Sequence, residues 1–513
     1  MRMAEDYVRR GFSQDDAEAL VFYDLSDRLS VLQYNLSDRI RPPPARPELP
    51  VLEVNWEWHS RKGEEMYNSL NDNQRAAADN ILQMGSTNRR KLHFVDGPGG
   101  SGKTYLYNAI YHVLNGRRKR VICVAWTGIA ASLLPHGRTA SSTFKLNMRA
   151  DNRECSLKRE DRDATPLKEA DAIIWDEISM VPKFALEAVD LLLQDLMCNN
   201  IPFGGKTVVL GGDFRQTLPI IEKGRESDMV DACVKNSHLW RRFLTHHLTT
   251  NMRVEGRQSP WSALLMTVGN GEAEQDVDGK IELPSEVFSD GNIIDEVFGD
   301  QLTNVDCLSD RAILAPRNLE VDHINQQALD KLPGAIYVYR SIDEVAEDEH
   351  EDEDLYPSEF LNSLSPAGLP LHCLKLKEGA VVLLLRNLDV KNGLCNGTRL
   401  IATHFGRYVL GCRFASGQRK GQFILIPRID NYTEKGVPFK LRRRQFPLRL
   451  AFAMTINKAQ GQSLTNVGIH LRDDVFSHGQ LYVALSRSRS KEGVKVVSNG
   501  TRVKNIVIKS VLN

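Results

Sequence analysis

No uninterrupted apolar run in these 513 residues approaches the roughly 18 that a membrane-crossing helix needs, so no membrane partner is expected. The opening residues Met1-Arg2-Met3-Ala4-Glu5-Asp6 lack the apolar stretch of a secretory leader, and secretion is not expected. Eight cysteines are scattered without a single C-x-x-C pair. That argues against a zinc ribbon and for free thiols in a reducing compartment. Net charge is missing as well: 66 Lys and Arg balance 66 Asp and Glu, so bulk charge does not point to nucleic acid. The charge that exists is unevenly placed. Asp343 to Asp354 is mostly carboxylate and reads as a solvated, flexible insertion. Arg117-Arg118-Lys119-Arg120 and Arg442-Arg443-Arg444 are basic clusters, serving either a phosphate backbone or a plain surface. A chain of this length exceeds one core, and about 150 residues per domain suggests roughly three or four.

What is present centres on Gly97-Pro98-Gly99-Gly100-Ser101-Gly102-Lys103-Thr104, which fits the phosphate-loop pattern G-x-x-x-x-G-K-[ST]. Leu92, Phe94 and Val95 read as a buried strand entering the loop. Leu106, Ile110, Val113 and Leu114 recur at helical spacing after it. Strand, glycine-rich loop and helix together aim backbone N–H groups and a helix N-terminus at a polyphosphate. Lys103 is expected to neutralise the β- and γ-phosphates, and the Thr104 hydroxyl to complete a Mg²⁺ shell. This chain is expected to bind a nucleoside triphosphate.

Upstream, helical patterning around Ala17, Leu20, Val21, Leu25, Leu29 and Leu32 is broken by Pro42-Pro43-Pro44, a linker-like stretch. Leu70 to Arg75 opens another helix, with Asn71 or Asp72 as N-cap. Gln74 there is either part of a capped helix start or an amide that reads an adenine edge. Three more apolar strands follow the loop: Val121 to Trp126, Ala172 to Trp175 and Lys206 to Leu210. They end in Thr127-Gly128, Asp176-Glu177 and Gly211-Gly212-Asp213-Phe214-Arg215-Gln216. Strands alternating with helices describe a parallel α/β sheet with its ligands at the carboxyl ends.

Asp176 and Glu177 directly after a buried strand would destabilise the fold unless a cation sits beside them. With a phosphate loop upstream, the first acid is expected to hold Mg²⁺ and the second to polarise the attacking water. Gln216 is placed to contact the γ-phosphate or that water. In the second half, Arg311 to Pro316 and Ala380 to Leu385 read as strands of a second α/β domain. From Arg386 to Phe446, short β-branched and aromatic runs broken by Gly406, Gly411, Gly417 and Gly421 suggest a small β-rich insertion.

The order of Leu70–Arg75, Gly97–Thr104, Thr127–Ala131, Asp176–Met180, Gly211–Pro219, Asn251–Arg253, Met454–Ser463 and Tyr482–Arg489 resembles the successive motifs of a superfamily 1B DNA helicase. Pro202-Phe203-Gly204-Gly205-Lys206 leading to Gly212–Gln216 is similar to the PIF helicase family. Glu359–Ser363, Leu384–Leu388, Cys395–Arg399, Arg444–Pro447, Phe452–Lys458 and His478–Val483 resemble more closely the helicase of Helitron rolling-circle transposons. The likeness covers about residues 65 to 500.

That resemblance implies an α/β phosphate-loop NTPase with two RecA-like parallel-sheet domains. An N-terminal segment of 1–66 would precede domain 1A at 67–240, with a wedge insertion near 145–168. Domain 2A would comprise 241–385 and 447–513, with an SH3-like β-rich subdomain at 386–446. ATP and Mg²⁺ would be used to step along single-stranded DNA, 5′→3′ by family expectation, and to open forked or tailed duplexes, as a monomer. Gln74, Gly97, Gly99, Gly100, Ser101, Gly102, Lys103 and Thr104 would hold the nucleotide, and Thr104 and Asp176 the metal. Lys103, Glu177, Gln216, Arg253 and Arg487 would be catalytic, the two arginines reaching in from the second domain. Thr127, Phe144, Lys145, Lys458 and Gln460 would contact DNA, Phe144 as a base stack or else a core ring. A nuclear, intracellular setting is the family expectation.

Three departures stand out. Ser141 replaces a histidine usual in the family, and Ala459 replaces a serine before Gln460-Gly461. The His–hydrophobic–His nuclease motif of full-length Helitron proteins is absent, which suggests a truncated transposase or a cellular relative. Two other readings stay open at this point: a DNA-binding relic that does not turn over ATP, and an RNA helicase.

Overall fold

A computed structural model describes residues 13–31, 36–38, 40–44, 55–83, 91–147, 154–221, 224–250, 252, 260–289, 291–346, 356–366, 368–417 and 419–512. Its first domain is built on a parallel sheet of β1 (Leu92–Asp96), β2 (Val121–Ala125), β3 (Arg138–Thr139), β4 (Ala172–Asp176), β5 (Thr207–Gly212) and β6 (Leu244–His247). Their spatial order is β3-β2-β4-β5-β1-β6, and every pairing is parallel. Side chains alternate between the two faces, as a period of two requires. Phe94, Trp175, Val208 and Leu210 enter one core. Val95, Ile174 and Val209 enter the other, against the phosphate-loop helix Lys103–Gly116. Burial on both faces explains why these strands read as near-continuous apolar runs.

The helix Trp56–Asn68 lies against the phosphate-loop helix. Two glycines permit the close approach. A Cβ on Gly63 would come within 2.7 Å of the Val113 backbone nitrogen, and one on Gly116 within 2.7 Å of Ser60 Cα. A domain boundary at residue 66 would therefore cut a helix that packs on the first domain. Further upstream, the expected helix forms over Gln14–Val31.

The second domain has its own parallel sheet, Ala453–Thr455, Arg311–Ala315, Asn466–Leu471 and Val494–Ser498 in spatial order. Between its first and second strands in sequence lies the β-rich body, larger than the expected 386–446. A five-stranded antiparallel sheet runs Phe423–Pro427, Val409–Phe414, Arg399–Phe405, Val381–Leu384, Leu448–Leu450. Val381–Leu384 thus belongs here and not to the second parallel sheet. An apolar run marks a strand buried on both faces but carries no record of its partner's direction.

Charge was distributed less superficially than the runs implied. Ile342–Val345 pairs antiparallel with Leu441–Gln445, setting Asp343 opposite Arg443 and Glu344 opposite Arg442. Asp343 and Arg443 are both 0% exposed at the side chain and form a bidentate pair of 2.9 Å (Nε–Oδ1) and 2.6 Å (Nη2–Oδ2). The Arg443 guanidinium also donates to the carbonyls of Pro370 and Leu361. Arg443 is therefore a core cation and not a surface one. The rest of the acidic run, residues 347–354, lies outside the described residues. Near the wedge, Leu146 bridges Cys155, and Leu157, Ala164 and Leu167 join the first domain's core. All eight cysteines are unpaired. Among the described residues no helix is long and apolar enough to cross a membrane.

Candidate nucleotide-hydrolysis site

The phosphate loop leaves β1 with the Gly97 N–H donating to the Gly212 carbonyl at the end of β5 (3.4 Å). Gly100 (φ +92°) and Gly102 (φ +80°) occupy left-handed backbone that other residues rarely adopt. At Gly102 a Cβ would also strike the Gln74 amide at 2.4 Å. Lys103 opens a 14-residue helix, so free N–H groups and the positive helix end converge on the loop. Its ammonium donates to the Gly97 carbonyl (2.5 Å) and reaches the Pro98 carbonyl (3.5 Å). Thr104 follows, partly exposed at the helix start.

Gln74 is a brace for this loop. Its carbonyl accepts from the Asn71 N–H, closing a capping box, and its NH₂ donates toward the carbonyls of Ser101 (3.3 Å) and Gly102 (3.4 Å). The amide that was to read adenine is largely spent on the protein.

β4 delivers Asp176, buried, whose Oδ1 accepts from the Glu177 N–H (2.9 Å). Glu177 sits at φ +58°, a left-handed conformation that costs a non-glycine residue on the order of 1 kcal/mol and recurs at functional sites. Burial raises the Asp176 carboxyl above its ordinary range, against the opposing charge of Lys103. Burial and then the Asp176 charge push Glu177 up to about 7, opposed by Lys103, Arg487 and a hydrogen bond from Gln460. Two adjoining carboxylates with raised affinity for protons are equally a site for a divalent cation.

Asp213, at the end of β5, is the hub of the neighbouring loop. Its Oδ1 accepts from the Arg215 backbone N–H (3.2 Å) and forms an ion pair with the Arg215 guanidinium, Nε lying 2.8 Å away. Its Oδ2 takes the Gln216 amide (3.3 Å) and the Tyr482 hydroxyl (3.0 Å). That leaves the buried Gln216 Oε1 without a partner, an acceptor facing no donor of the protein. The buried Ser101 hydroxyl in the phosphate loop has none either. Orphaned polar atoms beside a glycine cradle, a lysine and two carboxylates fit a magnesium nucleotide.

The second domain closes the site. Gln460 accepts from the Thr217 hydroxyl (2.6 Å) and donates to Glu177 Oε2 (3.3 Å). Arg487 is buried, held by the carbonyls of Val483 (2.9 Å), Gln462 (2.9 Å) and Ala459 (3.3 Å) and by the Ser486 hydroxyl. Its guanidinium lies 3.8 Å from where a Cβ on Gly99 would stand. Arg253 lies outside the described residues; next to it, the Met252 N–H donates to the Gly100 carbonyl (2.8 Å).

The residues expected on DNA scatter. Phe144 is 0% exposed and packs against Trp175 in the first core, leaving no face for a base. Gln460 is turned inward across the seam, its amide bonded to Glu177 and Thr217 of the first domain. Thr127 caps the helix Gly128–Leu133 through its hydroxyl. Lys145 is exposed and paired with Asp163 (2.9 Å). Lys458 is partly buried, and burial lowers its ammonium's proton affinity, aided by Arg449. Ala459 is buried in the second core, where a serine hydroxyl would need a partner.

Asp213, Tyr482 and Thr217 were missed as individual site residues. Asp213 carried the same signal as Asp176, an acid ending a buried apolar strand. Tyr482 was marked only as the first residue of the Tyr482–Arg489 motif, because a phenol within an apolar helix gives no individual signal.

Two parallel-sheet domains meeting over a glycine-rich loop, paired carboxylates and a buried arginine define a phosphate-loop NTPase with RecA-like domains. Within that class, the model for PIF1-like helicases matches residues 69–279, and that for the 2B domain of DNA helicase Pif1 matches residues 359–405. Over those segments the chain is similar to PIF1-like helicases. The ATP-dependent DNA helicase PIF1 of Danio rerio is 29% identical over 80% of this chain and 59% of its own length. The ATP-dependent DNA helicase Pif1 of Bdellovibrio bacteriovorus is 28% identical over 85% of this chain and 89% of its own length. A Pif1 structure from work on unwinding at forked double-stranded DNA by two coordinating Pif1 helicases superposes with a TM-score of 0.62. It shares 26% identity, covering 86% of this chain and 94% of that one. The chain thus spans about three fifths of the length of the first vertebrate relative.

Proposed function

We propose that this chain is an ATP-dependent DNA helicase that advances along single-stranded DNA, 5′→3′, and opens forked or tailed duplexes as a monomer. The observation that carries the reading is the seam itself. Gln460, Tyr482 and Arg487 of the second domain meet Glu177, Asp213 and the phosphate loop of the first. A hydrolysis site completed only across two domains makes nucleotide turnover and domain movement one event. The PIF1 relatives and their action on DNA support the same conclusion.

In this scheme Lys103 leaves the loop carbonyls to neutralise the nucleotide's phosphates. Thr104 and Asp176 would hold Mg²⁺, which supplies charge neutralisation on the transferred phosphoryl. Glu177 accepts the proton of the attacking water, oriented by Gln460. Gln216 presents its unpaired Oε1 to that water. Arg487, permanently charged, faces the phosphoryl group from the second domain. The likeness to the Helitron helicase supports a transposon-type module as the finer assignment.

Phosphate release measured with and without single-stranded DNA tests this. Stimulation by DNA is expected, lost in Lys103→Ala. Hydrolysis that ignores DNA would contradict the reading, and equal stimulation by matched RNA would reassign the polymer.

A further inference from the structure

Tyr482 of the second domain touches the phosphate loop through its hydroxyl. The Gly99 N–H donates to the Tyr482 oxygen (3.3 Å), and the Tyr482 O–H donates to Asp213 Oδ2 (3.0 Å). The phenol is buried, and burial together with the Asp213 charge keeps it protonated, so the donor is permanent. Asp213 holds Arg215 and the Gln216 amide through its other contacts. Tyr482 lies on the short helix Gln480–Leu485, whose next turn carries Arg487, itself bonded to the Val483 carbonyl.

The same helix is fastened to the Asp213–Thr217 loop at its start. The Ile508 N–H donates to His478 Nδ1 (2.9 Å), so His478 Nε2 carries the proton and donates to the Phe214 carbonyl (2.7 Å). Gly479, at φ +72°, passes so close that a Cβ would lie 2.3 Å from the Arg215 carbonyl. The His478 ring and the Gly479 backbone seat the start of the helix on this loop. Tyr482 alone of the three reaches the phosphate loop.

We propose that the Tyr482 hydroxyl is a positioning group: it fixes the Arg487 helix against both the phosphate loop and Asp213, and so sets where the arginine stands relative to the nucleotide. The inference rests on the hydrolysis reading above. Losing the hydroxyl leaves the ring in its core, removes both of its anchors on the first domain and lets Arg487 drift from the phosphoryl group.

The test is a cycle of Tyr482→Phe, Arg487→Lys and the double variant in the full chain, reading DNA-stimulated ATP hydrolysis with kcat and KM separated. Tyr482→Phe should lower kcat by about tenfold or more while KM for ATP moves less than about threefold. In the Arg487→Lys background the same change should cost less than about twofold, because a misplaced arginine is already lost. Equal factors in both backgrounds would overturn the proposal. A Tyr482→Phe chain that fails to fold, or whose KM alone rises, would overturn it as well. Wild-type protein without DNA-stimulated hydrolysis would instead remove the functional reading, and this inference with it.

Discussion

Gln460 of the second domain donates its side-chain amide to the Glu177 carboxylate of the first, 3.3 Å away, while its carbonyl accepts from Thr217 at 2.6 Å. One amide thereby joins the expected general base to the loop that follows β5. Gln460→Ala should leave the fold intact and lower kcat for ATP hydrolysis by about tenfold, since it frees Glu177 from its orientation. Steady-state kinetics with saturating DNA checks this, and DNA affinity should change little.

Glu177 gives the reaction a pH dependence of definite sign. Burial and Asp176 raise its carboxyl to about 7, and a base works only when deprotonated. The kcat/KM for ATP should therefore climb as pH rises from 6 toward 8, by up to about tenfold per unit below the apparent pKa. Because the pair titrates together, the fitted value belongs to Asp176 and Glu177 jointly. Glu177→Gln should abolish turnover yet leave a folded chain that still binds nucleotide.

The buried Asp343–Arg443 pair predicts a stability effect far from catalysis. Asp343→Ala strands the Arg443 guanidinium in the core and should destabilise the β-rich body by about 3–5 kcal/mol. Replacing both partners by apolar residues should cost much less. Urea denaturation of the single and double variants separates the two outcomes.

Gly63 makes a third kind of prediction. A Cβ there meets the Val113 backbone nitrogen at 2.7 Å, and backbone cannot yield as a side chain can. Gly63→Ala should push the helix Trp56–Asn68 off the phosphate-loop helix and cost about 1–3 kcal/mol by overpacking, despite alanine's higher helix propensity. Thermal melting of the variant reads it directly.

How much of this was legible before the structure depended on the distance between partners. The phosphate loop is a local conformation, and Asp176 betrays itself by ending a buried strand, so both stood out from short stretches of sequence. Tyr482 meets Asp213 across 269 positions and Gln460 meets Glu177 across 283, and no local pattern records such pairs. Gln460 was assigned to DNA because a polar residue in a motif reads as surface until its partner is known. Arg443 was misjudged for the same reason: a charge run looks solvated unless an opposing strand brings the counter-charge. Val381–Leu384 shows the limit for strands, where apolarity reports burial but not parallel or antiparallel partnership.

In the function proposed above, nucleotide hydrolysis at this seam drives movement along DNA. That coupling is tested most directly by unwinding of a partial duplex bearing a 5′ or a 3′ single-stranded tail, with ATP and Mg²⁺. The account predicts strand separation of the 5′-tailed substrate, dependent on ATP and absent in Lys103→Ala and Glu177→Gln. Unwinding by either variant at the wild-type rate, or none by the wild-type chain on either substrate, would contradict it.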